Sequence, residues 1–218
     1  RYLVPLAKQM AEAGHPIETF TADATKAQDM ERTVDYALER WGHIDVFINN
    51  VGDAVPKPLV PLPGQNTSPL SDDEWRYSID INLTEAFMGC RAIGPHFLAR
   101  RQGKVINIAS FAAMKGSPNL VAYSAAKAGV ARLTQALALE WAPYGITVNC
   151  IAPGQFPDPD QASPQDMERA RQRAKSQVPL GRPGLPREVG LLALYLVSDA
   201  SNYMTGQTIY LDGGLTAT

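Results

Sequence analysis

Apolar residues along the chain follow two alternating patterns: short β-branched runs, and longer stretches in which they recur every three to four positions. Leu3, Leu6 and Met10 recur at helical spacing and Gly14 ends that run, so the chain opens on an amphipathic helix. Residues 17–22 read as a strand, 26–41 as a helix and 45–48 as a strand. Residues 71–101 read as a long helix with a break, 104–109 as a strand, 121–144 as a helix and 146–151 as a strand. A helix over 186–197 and a strand over 208–211 complete the pattern. Strands alternating with helices of this length predict right-handed βαβ units, hence an α/β, doubly wound parallel sheet covered on both faces. The run Val105-Ile106-Asn107-Ile108 is nearly continuous in apolar character, as a strand buried on both faces is. No internal repeat or linker divides the chain, and residues 1–218 read as a single domain.

Proline sharpens this picture. Of 17 prolines, five fall in residues 56–69 and seven in residues 153–186, each stretch following a predicted strand. Ligands of doubly wound sheets bind beyond the carboxyl ends of the strands, so these two segments are expected to be loops that wall a substrate pocket. Composition narrows the function classes. Twenty Lys+Arg against 22 Asp+Glu give a formal net charge of −2, which supplies no basic field for nucleic acid or an anionic membrane. No apolar run approaches the ~18 residues of a spanning helix, and no segment has the form of a signal peptide. Cys90 and Cys150 make neither a metal spacing nor a disulfide framework, which suits a reducing cytoplasm. His15, His43 and His96 are scattered, and no metal site is expected.

Candidate chemistry sits on the helix over 121–144. Tyr123 and Lys127 are four residues apart and share one face, amid the small residues Ala122, Ser124, Ala125, Ala126 and Ala128. Ser110 stands at the end of the strand over 104–109, thirteen positions before Tyr123. A phenol titrates near ~10, and an ammonium within ~4–6 Å favours its ionised form. Lys127 can supply that charge, and Ser110 can orient a substrate oxygen by a hydrogen bond. The trio makes an acid–base site.

Together with five further motifs in register, these residues resemble the short-chain dehydrogenase/reductase family over essentially the whole chain. Asn49-Asn50-Val51-Gly52 is similar to the family's Asn-Asn-Ala-Gly, which steadies the central strand and borders the cofactor. Asn82 matches the helix asparagine that kinks its helix and supports a water behind the lysine. Residues 149–154, ending in Pro153-Gly154, match the segment whose turn faces the nicotinamide, with Phe156 just beyond. Asp23 falls where the family places an aspartate beside the adenine ring, and Asp212-Gly213-Gly214 matches the end of the last strand. The resemblance implies a Rossmann-like sheet and an NAD(P)-dependent interconversion of a secondary alcohol and a ketone. It assigns catalysis to Asn82, Ser110, Tyr123 and Lys127. Contact with NAD or NADP falls to Asp23, Asn50, Val51, Gly52, Tyr123, Lys127, Pro153, Gly154 and Phe156. It also implies a homodimer or homotetramer through paired helices, the small-residue face of 121–144 and the helix over 71–101.

This sequence departs from the family pattern at three places. Val51 replaces an alanine. Asp158 stands where the family often has a threonine that bonds the nicotinamide carboxamide. The glycine-rich βαβ unit that cradles the pyrophosphate has no counterpart in these residues, nor does the position that separates NAD from NADP. The expectation is an N-terminally truncated family member whose 218 residues alone are inactive. The alternative is a non-catalytic fragment or binding scaffold that keeps the site residues without the phosphate loop. Phe111, Ala112, Met114 and Phe156 suggest a mostly apolar pocket rim for a small or medium alcohol or ketone.

Overall fold

Four short apolar runs pair side by side as β1 (Val46–Asn49), β2 (Gly103–Ile108), β3 (Ile146–Pro153) and β4 (Thr208–Leu211). In the computed structural model, which describes residues 3–217 apart from 16, 62, 65, 159 and 161, they form a parallel sheet in that order. The register aligns Asn49 with Asn107, Ile108 with Ile151 and Pro153 with Leu211, so the strands end near one edge. Successive side chains along a strand point to opposite faces. Val105 on β2 therefore joins Ile93, Phe97, Ala138 and Trp141 on one face, while Ile106 joins Ile151 and Leu196 on the other.

The helices that cover the sheet follow the predicted alternation. They are α1 (Leu3–Glu12), α2 (Ala27–Trp41), α3 (Asp72–Ile79), α4 (Glu85–Arg100), α5 (Val121–Trp141), α6 (Pro164–Gln177) and α7 (Pro186–Val197). Buried residues of α4 and α5 cover one face, those of α7 the other, and α2 lies outside α4. This is the two-faced coverage that a doubly wound parallel sheet requires.

Two expectations need correction. Residues 17–22 form no strand, because among the described residues β1 is the edge of the sheet and no backbone lies beside 17–22 to pair with it. Side chains of α2 hold the segment instead: Phe20 stacks on Tyr36 at 5.0 Å between ring centroids, and Arg40 pairs with Glu18 at 3.0 Å. The proline-rich stretch 153–186 is not all loop, since α6 runs through it. Ser163 accepts a hydrogen bond from the Asp166 N–H and Pro164 opens the first turn, where its missing N–H costs nothing.

The expected break in the long helix is a π-helical turn over Asp80–Thr84, joining α3 to α4. Its cause is Asn82, fully buried, whose side-chain amide donates to the Ser78 carbonyl at 2.8 Å, so that the backbone ladder skips a residue. A second buried amide chain fastens β1 to the rest. Asn49 donates to Asn107 Oδ1 at 2.7 Å, Asn107 donates to Thr134 Oγ1 at 2.9 Å, and Thr134 returns its hydroxyl proton to the Val130 carbonyl. Strands β1 and β2 and helix α5 are thereby locked in one register, with every member of the chain satisfied.

Candidate active site

The common edge of β1, β2 and β3 delivers residues 50–54, 109–110 and 154–156 to one place, and α5 brings Tyr123 and Lys127 to meet them. A cleft of about 390 Å³ results. Its walls include Asn50, Gly52, Ser110, Tyr123, Lys127, Pro153, Gly154 and Phe156, eight of the positions singled out from the sequence. Asn82 lies directly behind: a Cβ added to Gly52 would stand 2.8 Å from Asn82 Oδ1 and 3.0 Å from Lys127 Nζ. Only glycine lets the loop rest on those two groups.

Lys127 is 3% exposed, and its ammonium donates to the Ile108 carbonyl at the end of β2, 2.9 Å away. Its Nζ stands 5.9 Å from the centroid of the Tyr123 ring. Asn82 spends its remaining capacity on the backbone of the neighbouring loop, donating to the Asp53 carbonyl at 2.6 Å and accepting from the Asp53 N–H at 3.2 Å. Tyr77 adds a third tie by donating its hydroxyl to the Asp53 carboxylate at 2.8 Å. Ser110 caps the short 3-10 turn Phe111–Ala113, its hydroxyl oxygen accepting from the Ala112 N–H at 3.2 Å.

Burial dominates the electrostatics. It pushes the Tyr123 phenol above its ordinary value, and the hydrogen-bonding Ser110 hydroxyl acts in the opposite direction. The sequence expectation of a phenol lowered by Lys127 is therefore not met as the chain stands: the ammonium is turned to Ile108, and desolvation outweighs the rest. Burial also lowers Lys127, opposed by the carboxyl of Glu85. Glu85, at the start of α4 and 3% exposed, is itself pushed up to about 7 by burial, with Lys127 pulling the other way.

Several expectations fall outside the cleft. Asp23 sits on a turn, accepting from the Thr25 hydroxyl at 2.6 Å and pairing with Lys26 at 3.1 Å. Val51 is exposed and does not line the cleft. Asp158 does not line it either; its carboxylate accepts from the Asp160 N–H at 2.9 Å. The apolar rim is only half right. Phe111 and Phe156 border an adjoining cleft, but Ala112 is buried and Met114 points to solvent. Sequence reasoning passed over Asp53 and Glu85. Neither carried a signal in the sequence that marks it as part of the site.

Comparison with known proteins agrees with this fold. The family model described as enoyl-(acyl carrier protein) reductase matches residues 3–216. The 3beta-hydroxysteroid dehydrogenase 1 of Eggerthella lenta is 37% identical over 210 residues, 96% of this chain and 77% of its own length. The 3-oxoacyl-(acyl-carrier-protein) reductase FabG of Thermotoga maritima is 34% identical over 199 residues, 91% of this chain and 77% of its own. Among crystal structures, a Sinorhizobium meliloti protein assigned as a short-chain alcohol dehydrogenase superposes with a TM-score of 0.87 at 29% identity, covering 99% of this chain and 82% of that one. With the parallel sheet, the Asn-Asn-Val-Gly loop and the Ser110, Tyr123 and Lys127 cleft in hand, the chain belongs to the short-chain dehydrogenase/reductase family.

Proposed function

We propose that this protein interconverts a secondary alcohol and a ketone with NAD or NADP, and that Tyr123 gives or takes the substrate proton. The observation that carries the reading is the meeting of Ser110, Tyr123 and Lys127 in one cleft, with the lysine anchored from behind by the Ile108 carbonyl. By their names, the relatives above act on a steroid hydroxyl and on a 3-oxoacyl chain. They have the CH–OH/C=O couple in common and not the skeleton.

The residues at the sheet edge suit the nicotinamide-ribose end of a dinucleotide. Asn50 and Lys127 offer polar groups to sugar hydroxyls, while Gly52, Pro153 and Gly154 offer backbone without bulk. Gly154 lies so close to Asp212 that a Cβ there would stand 2.7 Å from the Asp212 Cα. No glycine-rich turn between a strand and a helix, the usual cradle for the pyrophosphate, occurs among the described residues. On this reading residues 1–218 by themselves turn over little or nothing, and the tests below use the full-length protein.

When bound, the nicotinamide supplies or accepts the hydride; orientation and proton handling fall to the chain. Ser110 holds the substrate oxygen. Tyr123 passes the proton at that oxygen, and a substrate that brings Lys127 into play shifts the phenol back from the elevated value that burial imposes. Asn82 acts through other groups, by holding the Asp53 backbone and so the loop that covers Lys127. We further propose self-association into a homodimer or homotetramer, because α4 and α5 present Phe87 and Leu139, 44% and 80% exposed, to solvent.

Tyr123→Phe is expected to lower kcat by roughly 10²–10⁴-fold while cofactor affinity stays within about threefold, since only the transferable proton is lost. Steady-state rates beside a cofactor titration check it, and near-normal turnover would contradict the role. Glu85 provides a stability test. Its proton is held in the fold to about pH 7 and leaves the unfolded chain near 4.5, so stability falls as pH rises between those values and is level above. The loss amounts to roughly 3 kcal/mol, and Glu85→Gln is expected to abolish that slope in denaturant melts taken from pH 4.5 to 8. Parallel curves for variant and wild type would refute it. For self-association, light scattering at micromolar concentration is expected to give two or four copies, and a monomer would contradict the surface assignment.

A further inference from the structure

Beside the reaction cleft lies a second, larger one of about 970 Å³, and the two share Gly154 and Phe156. Its volume lies within the range of small-molecule sites. Phe111, Leu120 and Phe156 give it apolar walls, and two cations, Lys115 and Arg173, stand among its lining residues. No aspartate or glutamate does. The Lys115 ammonium is held in place by donation to the Leu215 carbonyl at 2.8 Å.

Arg173 is singled out by the charge pattern of α6. Along that helix Arg169 pairs with Asp166 at 3.2 Å and Arg171 with Glu168 at 3.8 Å, each within one turn. Those are the acids of α6, and both are engaged. Arg173 makes no salt bridge among the described residues, and it is the one arginine of the helix that lines the cleft. A guanidinium presents a planar fork that matches a carboxylate through two parallel hydrogen bonds. Buried Ala174 docks the next position of the helix, which sets the Arg173 backbone at the wall while its side chain is exposed.

We infer that the substrate is a hydroxy acid or keto acid whose carboxylate pairs with Arg173 in the larger cleft while its carbinol or carbonyl carbon reaches Ser110 and Tyr123 in the smaller one. This inference rests on the oxidoreductase reading above and names its substrate class. The carboxylate is a handle and is unchanged by the reaction. In the reduction direction a bound nicotinamide would supply the hydride to the carbonyl carbon, the Tyr123 phenol gives its proton to the carbonyl oxygen to leave the alcohol, and the phenolate regains a proton from water. The apolar walls between the two ends select a short hydrocarbon spacer over a polyol.

The test uses the full-length protein and matched pairs: 4-hydroxypentanoate and 5-hydroxyhexanoate, each against its methyl ester and against the phosphate monoester of the corresponding diol. Wild type is expected to favour at least one acid over its ester by about tenfold in kcat/KM, the scale of one charge-assisted pair. Arg173→Ala is expected to erase that preference through KM, leaving the esters within about twofold, with Arg173→Lys intermediate because it keeps charge without the fork. Arg171→Ala, its partner Glu168 being on the same helix and outside the cleft, is the neutral control. Equal treatment of acid and ester by wild type, or equal loss on both in Arg173→Ala, overturns the inference while leaving the oxidoreductase reading intact. A preference for the phosphate ester overturns the carboxylate assignment. Saturation-transfer NMR of the same acids provides a readout without turnover. Acid binding that vanishes in Arg173→Ala, on a protein that oxidises none of the alcohols, leaves an anion site but overturns the substrate assignment.

Discussion

Lys127 carries a positive charge into a place that water hardly reaches, and much of the surrounding structure follows from having to keep it there. An ammonium taken out of water costs several kcal/mol unless hydrogen bonds and an opposing charge compensate it. The Ile108 carbonyl at the end of β2 gives the hydrogen bond, and the Glu85 carboxyl at the start of α4, protonated up to about pH 7, adds an opposing charge as it ionises. Gly52 lets the loop after β1 close over the site, and Asn82 holds that loop by both edges of its amide. Strand, helix and loop therefore converge on one side chain. The π-helical turn at Asp80–Thr84 is part of the same arrangement, since it aims Asn82 at the Asp53 backbone while the helix on either side keeps its packing on α5.

The sequence was most legible where a single physical requirement fixes both pattern and position. Strands β2 and β3 are buried on both faces, and their apolar runs cannot be read another way. Tyr123 and Lys127 stand out because their neighbours are small and helical spacing stacks them. Residues 17–22 were misread because β-branched content records a tendency to pair, whereas pairing also needs a partner strand, which the described residues do not supply. Helix α6 was missed because prolines were taken as loop markers, although Pro164 follows a serine cap and occupies the first turn, where proline favours a helix. Glu85 went unnoticed because an acid in a helix is ordinarily solvated, and only the packing of α4 reveals that this one is enclosed.

The division of labour between the two clefts explains how a shared chemistry can serve a particular substrate. The smaller cleft is built from strand ends and α5, rigid elements whose hydrogen bonds are satisfied in the core. The larger is walled by α6 and by residues 111–120 and 155–157, which lie outside the sheet. Binding groups placed on such segments can vary without disturbing Lys127 or Ser110. Gly154 and Phe156 belong to both clefts, and on the proposed reading a substrate held by its far end in one presents its reacting carbon to the other.

The central claim is that Lys127 and the loop over it border a bound nicotinamide. Titrating the full-length protein with NADH and with NADPH, and following nicotinamide fluorescence excited through tryptophan, tests it most directly. The account predicts saturable enhancement with at least one of the two, and an affinity about tenfold weaker in Lys127→Ala, the loss of one charge-assisted hydrogen bond. No saturable signal with either nucleotide, or an affinity in Lys127→Ala equal to that of wild type, would contradict it.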